Sequence, residues 1–344
     1  MTAEFDQPVV DTDRLSTWLR RTLEPGLRSV EASRIGGGNS SGAWRLELIS
    51  ATNSRTVVLK VPNDGGLVHD CDAAREGRVL DAARRVGAPV PEVLAIDESG
   101  EALGIPCFVM EHIDGHSVPE DSPASFHGEG WFRDADVDTQ RATWFSFLDA
   151  LAELHSVDHK SVPAPHGADG TSGFLGYWRR SLLDAAPAHL VPRQLAVIDW
   201  LADHVPVGGG DDSALCMGDA RLGNALLTGT DVPTLVDFEV AYIGNPAADI
   251  GYCIMQEAFI RALTDRPATG IPSADETWRH WEAKTGRLGV DRDYWTAVGT
   301  AVLCVTATRA MLKWGLPVES VDRDNLVVDE WERLVGSAAR GEER

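Results

Sequence analysis

Apolar residues recur along this chain with two different periods, and the change from one to the other falls just after residue 113. Before that point, alternation by twos dominates. Residues 29–35 run into a glycine cluster, 43–49 alternate through Trp44, Leu46 and Leu48, and 56–61 read Thr-Val-Val-Leu-Lys-Val, a β-branched strand. The polar turn 51–54 makes the last two a hairpin. An opening helix is expected from Asp11 or Thr12, stopped by Pro25-Gly26. Segment 70–86 has a helical period, with Ala73, Val79, Leu80, Ala83 and Val86 along one face. Two more strands are predicted at 92–96 and 106–113. The order β-β-β-α-β-β describes a compact antiparallel sheet with one helix.

After Gly115 a loop-rich stretch holds Pro119, Pro123, Gly128 and Gly130, and helical periodicity then takes over. Helices are predicted at 137–155, 174–185, 192–204, 247–263, 275–286, 291–314 and 318–335, and only 213–240 reads as short strands with tight loops. The expected fold class is therefore α+β in two lobes: a small antiparallel β-rich lobe over 1–113 and a larger, mainly helical lobe over 114–344. The most apolar run, 294–305, is diluted by threonines and a glycine and is followed by Arg309. It reads as too short to span a bilayer and as a buried helix instead.

Composition narrows the function classes. A length of 344 residues suffices for two lobes, and a net charge of −22 disfavours nucleic acid and anionic membrane as partners. Cys71, Cys107, Cys216, Cys253 and Cys304 include no C-x-x-C pair, so they are expected to be reduced core thiols in a cytoplasmic protein. The stretch from Met1 to Arg14 is acidic without an apolar core, which argues against a secretory signal. His69, His127, His166 and His189 show no ligand spacing and are expected at the surface.

The segment that carries chemistry is Met217-Gly218-Asp219-Ala220-Arg221-Leu222-Gly223-Asn224, followed by Leu235-Val236-Asp237-Phe238-Glu239. A D-x-x-x-x-N sequence with a second aspartate after a short apolar strand fits phosphoryl transfer. One carboxylate orients the attacking hydroxyl and accepts its proton, while an amide and a second carboxylate hold the magnesium that bridges the phosphates of ATP. Asp219 would be the base, and Asn224 and Asp237 the metal ligands. In the first lobe, Gly36-Gly37-Gly38-Asn39-Ser40-Ser41 lies between two predicted strands, where glycines let backbone N–H groups approach phosphate oxygens. Lys60 ends an apolar strand, a place where a lysine needs a reason. An edge-strand lysine with a solvated head is the other reading.

These residues together resemble the aminoglycoside-phosphotransferase-like kinase family, whose signature is H-G-D-x-x-x-x-N, then D-[FW]-E and G-x-P-x-x-D. This chain has Gly218-Asp219, Asn224, Asp237-Phe238-Glu239 and Gly244-Asn245-Pro246-Ala247-Ala248-Asp249. The Arg-Leu-Gly-Asn version looks most like the branch related to the kinase-like domain of acyl-CoA dehydrogenase family members 10 and 11, and the resemblance runs from about Ile35 to Asp249. It implies a bilobal protein-kinase-like fold, ATP and Mg²⁺ as cofactors, and a small-molecule hydroxyl as acceptor. It also implies that Lys60 pairs with the ATP phosphates and with Glu76. The backbone of Met110, Glu111, His112 and Ile113 would form the hinge that meets the adenine edge. Arg221 would be a cation near the transferred phosphate, or else an arginine paired with a carboxylate. Asp249 resembles a structural carboxylate that braces the catalytic loop, and His155 and Asp158 match a helix-end pattern with core or capping roles.

One position departs from the signature: Met217 stands where the family has histidine, a residue that in related kinases mainly scaffolds the catalytic loop. Two alternatives stay open, a non-catalytic nucleotide-binding pseudokinase and a kinase-fold enzyme that couples phosphorylation to elimination. The helical lobe carries no readable code for the acceptor. The family's acceptors include aminoglycosides, choline-like alcohols, sugars and hydroxyacyl thioesters, and the branch favours a hydroxyacyl or lipid-like one.

Overall fold

The computed structural model describes residues 10–35, 41–62, 66–120, 124–163, 165, 170–206, 213–229, 232–323 and 325–342. The chain divides into two compact units, Met1–Asp114 and Gly115–Arg344.

In the first unit, helix α1 (Thr12–Thr22) precedes strands β1 (Leu27–Ile35), β2 (Ser41–Ser50) and β3 (Ser54–Pro62). Helix α2 (Ala73–Arg85) and strands β4 (Val93–Asp97) and β5 (Cys107–Glu111) follow. The strands form one antiparallel sheet in the order β1-β2-β3-β5-β4. Asp11 starts α1 because its carboxylate accepts the Asp13 and Arg14 amides at 3.1 and 3.0 Å, which satisfies two of the donors a helix start leaves open.

Strand β3 lies between β2 and β5, and its buried run over Val57–Val61 is that of a strand covered on both faces. The two faces have different partners. Val57, Leu59 and Val61 join Leu15, Trp18 and Leu19 of α1 in the core of this unit. Val58 and Lys60 point to the other face by the two-residue period of a strand. There α2 lies close, because Gly77 has no side chain: a Cβ at this position would stand 3.0 Å from Phe108 Cβ, and Phe108 is the β5 partner of Lys60.

The second unit contains α3 (Trp131–Asp134), α4 (Val137–Leu154), α5 (Gly170–Ala185), α6 (Pro192–Asp203), β6 (Ala214–Cys216), β7 (Ala225–Leu226), β8 (Thr234–Leu235) and β9 (Tyr242–Gly244). It continues with α7 (Ala247–Arg261), α8 (Ala274–Thr285), α9 (Arg292–Lys313), α10 (Val318–Arg323) and α11 (Leu326–Glu342). Two small hairpin-like ladders, β6 with β9 and β7 with β8, frame the 213–244 region. Helix α7 packs tightly on α9 through two glycines. A Cβ on Gly251 would stand 2.4 Å from Thr296 Cα, and one on Gly299 would stand 2.2 Å from the Ala248 carbonyl oxygen.

Several expectations are corrected. The helix expected over 318–335 is broken in two, because buried Asn325 turns its side-chain oxygen to the Val327 and Val328 amides at 3.1 and 3.3 Å and so starts α11 afresh. A one-turn helix, α3, occupies part of the stretch read as loop. The apolar run 294–305 lies within α9, whose 22 residues are long and apolar enough to cross a membrane by length and composition, although most of its apolar window is buried inside the protein.

His127 was expected at the surface and is fully buried. Its Nδ1 accepts the Ala268 amide at 3.1 Å and its Nε2 stands 3.2 Å from Glu257 Oε1. Both partners come from more than a hundred residues away, where no local pattern could announce them. His189 is exposed, His69 is half-buried, and His166 lies outside the described residues. All five cysteines are thiols outside any disulfide. Four are buried, while Cys71 is only half-buried instead of lying in the core. Burial pushes the Cys107 thiol up to about 12, so it stays an inert core group.

Candidate active site

In the first unit the pairing of interest is Lys60 with Glu76. Both are buried, and Nζ lies 3.8 Å from Glu76 Oε1, an ion pair at a distance longer than a hydrogen bond. Two buried charges of opposite sign are tolerable only as partners. Strand alternation puts Lys60 on the α2 side of the sheet, and the close approach at Gly77 brings its neighbour Glu76 within reach. Gly36, Gly37, Gly38, Asn39 and Ser40 lie outside the described residues. Ser41 opens β2 opposite Pro62. Met110 and Glu111 are the last paired residues of β5, opposite Val58 and Val57, and His112 and Ile113 lie beyond the ladder. The Glu111 carboxylate accepts the Glu92 amide at 2.7 Å and helps to hold this end of the sheet.

In the second unit the segment 217–224 is held from below by one buried carboxylate. Asp249, in the first turn of α7, accepts the Met217 amide at 2.6 Å and the Gly218 amide at 3.0 Å. Its Oδ2 also meets His155 Nε2 at 3.2 Å. The Trp281 indole N–H of α8 donates to His155 Nδ1 at 3.0 Å. An indole nitrogen only donates, so Nδ1 is the acceptor and the His155 proton sits on Nε2, facing Asp249. The chain Trp281–His155–Asp249 therefore ties the ends of α4, α7 and α8 to the loop. It also shows how the loop is anchored with methionine at 217: the contact uses the backbone of that residue, and the Met217 side chain is fully buried.

Gly218 has φ +79°, and a Cβ there would stand 2.4 Å from the Val240 carbonyl oxygen, so only glycine fits. This turn delivers Asp219, whose carboxylate is held by three side chains. Tyr252 Oη donates to Oδ1 at 2.5 Å, while Arg221 Nε and Asn224 Nδ2 donate to Oδ2 at 2.9 and 3.1 Å. Arg221 also pairs with Glu120, whose carboxylate folds over Gly223, where a side chain would collide with it. Burial works against the charge of the guanidinium. Asp219 and Glu120 outweigh it and hold Arg221 protonated well above its ordinary range. Burial first, and the Asp219 charge second, push the Tyr252 phenol up, so it remains a donor.

Asn224 gives its amide nitrogen to Asp219, to the backbone oxygen at 3.0 Å as well as to the carboxylate. Its amide oxygen is thereby directed away from Asp219. The Asn224 carbonyl also accepts the Val236 amide at 2.9 Å, which ties the loop to the residue before Asp237. Asp237 sits at φ +71°, a left-handed conformation that aspartate tolerates better than most residues. The Asp237 charge also contributes to the field that keeps Arg221 protonated.

The structure thus brings Asp219, Arg221, Asn224 and Asp237 together in one unit, and Lys60 with Glu76 in the other. Sequence reasoning missed Glu120 and Tyr252. No spacing signals Glu120, which meets Arg221 across 101 positions. Tyr252 follows Asp249 by three residues in one helix, and that interval, which places two side chains on one face, was a usable signal. Asp158, by contrast, caps a short turn with an oxygen 3.2 Å from the Lys160 amide.

Comparison with known proteins bears on the family and the fold. The chain is 26% identical over 299 residues to acyl-CoA dehydrogenase family member 10 of Mus musculus, covering 82% of this chain and 26% of that protein. It is 26% identical over 294 residues to acyl-CoA dehydrogenase family member 11 of Rattus norvegicus, covering 77% and 34%. The chain therefore spans about a quarter to a third of the length of these curated relatives.

Among solved structures, a Ralstonia eutropha JMP134 protein named as an aminoglycoside phosphotransferase superposes with a TM-score of 0.70 at 19% identity, covering 96% of this chain and 98% of that one. A thermostable mutant of the aminoglycoside phosphotransferase APH(4)-Ia, solved in a ternary complex with AMP-PNP and hygromycin B, superposes with a TM-score of 0.56 at 14% identity, covering 94% and 98%. These likenesses show the kinase-like α+β fold. The profile of the phosphotransferase enzyme family matches residues 31–284, and it is to that family that this chain belongs.

Proposed function

We propose that the chain is an ATP-dependent phosphotransferase that moves the γ-phosphoryl group onto a hydroxyl of a small molecule. The observation that carries this reading is the half-buried Asp219 carboxylate, whose orientation is fixed by three side-chain donors, Asn224 among them. A carboxylate held in this way is suited to orient a hydroxyl and take its proton. Lys60, steadied by Glu76, would meet the ATP phosphates, with the glycine-rich 36–41 segment supplying backbone amides and the 110–113 backbone supplying the adenine contacts. Arg221, bracketed by Asp219 and Glu120, would keep the base oriented and contribute positive charge at the same place.

The donor set also fits magnesium. Among the described residues there is no cluster of three His, Cys, Asp or Glu side chains able to hold a metal by themselves. Magnesium does not need one: it favours one or two protein oxygens with the rest of its shell from phosphates and water. Asn224 and Asp237 offer two such oxygens. When bound, the ion would neutralise the charge that develops on the transferred group. Five cysteines outside any disulfide support a reducing, cytoplasmic setting.

The names of the curated relatives put a hydroxyacyl thioester first among the acceptors to try, ahead of choline-like alcohols, sugars and aminoglycosides. ADP release from Mg-ATP across those four classes is the direct test. The expected result is ADP with a phosphorylated product for one class, and no ADP with any class would refute the reading. A second expectation concerns the metal. ATP should raise the melting temperature only when magnesium is present, and Asp237→Ala should lose most of that rise. Equal magnesium-dependent stabilisation of the variant would remove Asp237 from the ligand set.

A further inference from the structure

We infer that Tyr252 is a positioning residue for the phosphoryl acceptor, holding Asp219 so that a single site on Oδ1 is left for the acceptor hydroxyl. This rests on the reading of Asp219 as the base and adds which atom of it is used and what sets that choice.

A carboxylate has about four lone-pair sites, two on each oxygen. On Asp219 both sites of Oδ2 are taken, by Arg221 Nε at 2.9 Å and Asn224 Nδ2 at 3.1 Å. One site of Oδ1 is taken by the Tyr252 phenol at 2.5 Å. Among the described residues that leaves the second site of Oδ1, next to the phenol oxygen. An acceptor hydroxyl that donates there stands beside Tyr252, so this residue defines the direction from which the acceptor arrives. In the transfer step the acceptor O–H bond breaks as its oxygen bonds to phosphorus. The proton goes to Oδ1, and the bridging bond to ADP breaks with its electron pair leaving on ADP. The phenol keeps its own proton throughout, in keeping with its burial beside a carboxylate.

The phenol is fixed by backbone packing. Asp249 and Tyr252 lie three apart on one face of α7, so the same helix turn holds the Met217 and Gly218 amides and the Asp219 side chain. On the far side, Gly299 of α9 lies under Tyr252: a Cβ there would stand 2.7 Å from the Tyr252 amide nitrogen and 3.0 Å from its Cβ. Gly251 makes the reciprocal approach to Thr296. Two glycines on facing helices therefore set the depth of α7 and, with it, the reach of the phenol. Nothing in the catalytic motif itself specifies this contact.

The test is Tyr252→Phe in the full chain, which keeps the ring and its packing and removes only the hydroxyl. ADP formation from Mg-ATP is followed with the best acceptor class, or with water where no acceptor responds. The expected result is a fall in kcat of roughly 10-fold or more, the scale of a lost hydrogen bond to a charged group. The KM for ATP and the melting temperature should stay at wild-type values, which a merely structural role would not allow. In the Asp219→Asn background, Tyr252→Phe should cost no further activity, since the hydroxyl acts through Asp219.

A kcat within about twofold of wild type, a raised ATP KM or lowered melting temperature that accounts for the loss, or a further full loss on top of Asp219→Asn overturns the inference. The outcomes also separate it from the reading beneath it. A slow Asp219→Asn with a wild-type Tyr252→Phe defeats this inference alone. A wild-type protein that forms no ADP defeats both.

Discussion

Asp219→Asn is expected to lower turnover by ~10²- to 10⁴-fold, the scale for losing a general base, while ATP affinity stays near the wild-type value. The substitution is nearly isosteric, so the frame around residue 219 should persist. With its oxygen in the Oδ2 position the amide still accepts from Arg221 and Asn224, and its nitrogen can donate to the Tyr252 hydroxyl in place of Oδ1. What is lost is the negative charge and the site that takes the acceptor proton. At about 1.4 kcal/mol per tenfold, the expected loss corresponds to roughly 3–5 kcal/mol of transition-state stabilisation, concentrated in kcat. The checking measurement is ATP affinity by calorimetry alongside steady-state turnover with the acceptor found in the ADP screen. Turnover of the variant equal to wild type would take Asp219 out of the mechanism. A matching loss of ATP affinity would instead mean that the carboxylate serves the nucleotide.

Asp249→Leu should be the most damaging single change to stability in the second unit. The side chain is fully buried and accepts from Met217, Gly218 and His155. Leucine fills much of the space and satisfies none of these donors, so two backbone amides and an imidazole N–H would be left in the interior without an acceptor. Removing one member of a buried charged cluster costs roughly 3–5 kcal/mol, and each orphaned group adds to the penalty.

The prediction is a large drop in the urea midpoint of the transition that reports on the helical unit, with turnover lost as the Gly218 turn relaxes. Met217→Leu is the control. It keeps the backbone donor and nearly the same volume, so it should cost less than about 1.5 kcal/mol. If Asp249→Leu lies within about 1 kcal/mol of wild type, the brace is not what holds the loop. A control as damaging as Asp249→Leu would show that the Met217 side chain, rather than its backbone, carries the contact.

The two predictions concern residues that were legible to different degrees. Asp219, Asn224 and Asp237 stood out because their chemistry is written in local spacing: a loop of fixed length, a short strand and a return. Lys60 was legible because an apolar β-branched strand makes a lysine conspicuous, and Glu76 as the partner that the family resemblance implies for it. The strand and helix order of the first unit followed from periods of two and 3.6, which are properties of neighbouring residues. These signals need no knowledge of what packs on what.

The frame around Asp219 was of another kind. Arg221 was read either as a phosphate-facing cation or as a paired arginine, and only the packed chain shows Glu120 brought to it from 101 positions away. The Trp281–His155–Asp249 relay joins three helices whose meeting depends on their crossing and depth, neither of which a single helix encodes. His127 looked like a surface residue for the same reason: its partners lie at 257 and 268. Asn325 split a helix because its buried side chain bonded the following amides, an outcome decided by burial and not by propensity.

The sequence by itself determined the order of elements, the identity of the base and metal-ligand candidates, and the family, since each is carried by short-range spacing and by side-chain chemistry. Only the tertiary structure decided how the Asp219 carboxylate is oriented and how a loop with methionine at 217 is anchored. Both depend on groups far apart in the chain meeting within hydrogen-bond distance, which close packing at Gly218, Gly251 and Gly299 makes possible.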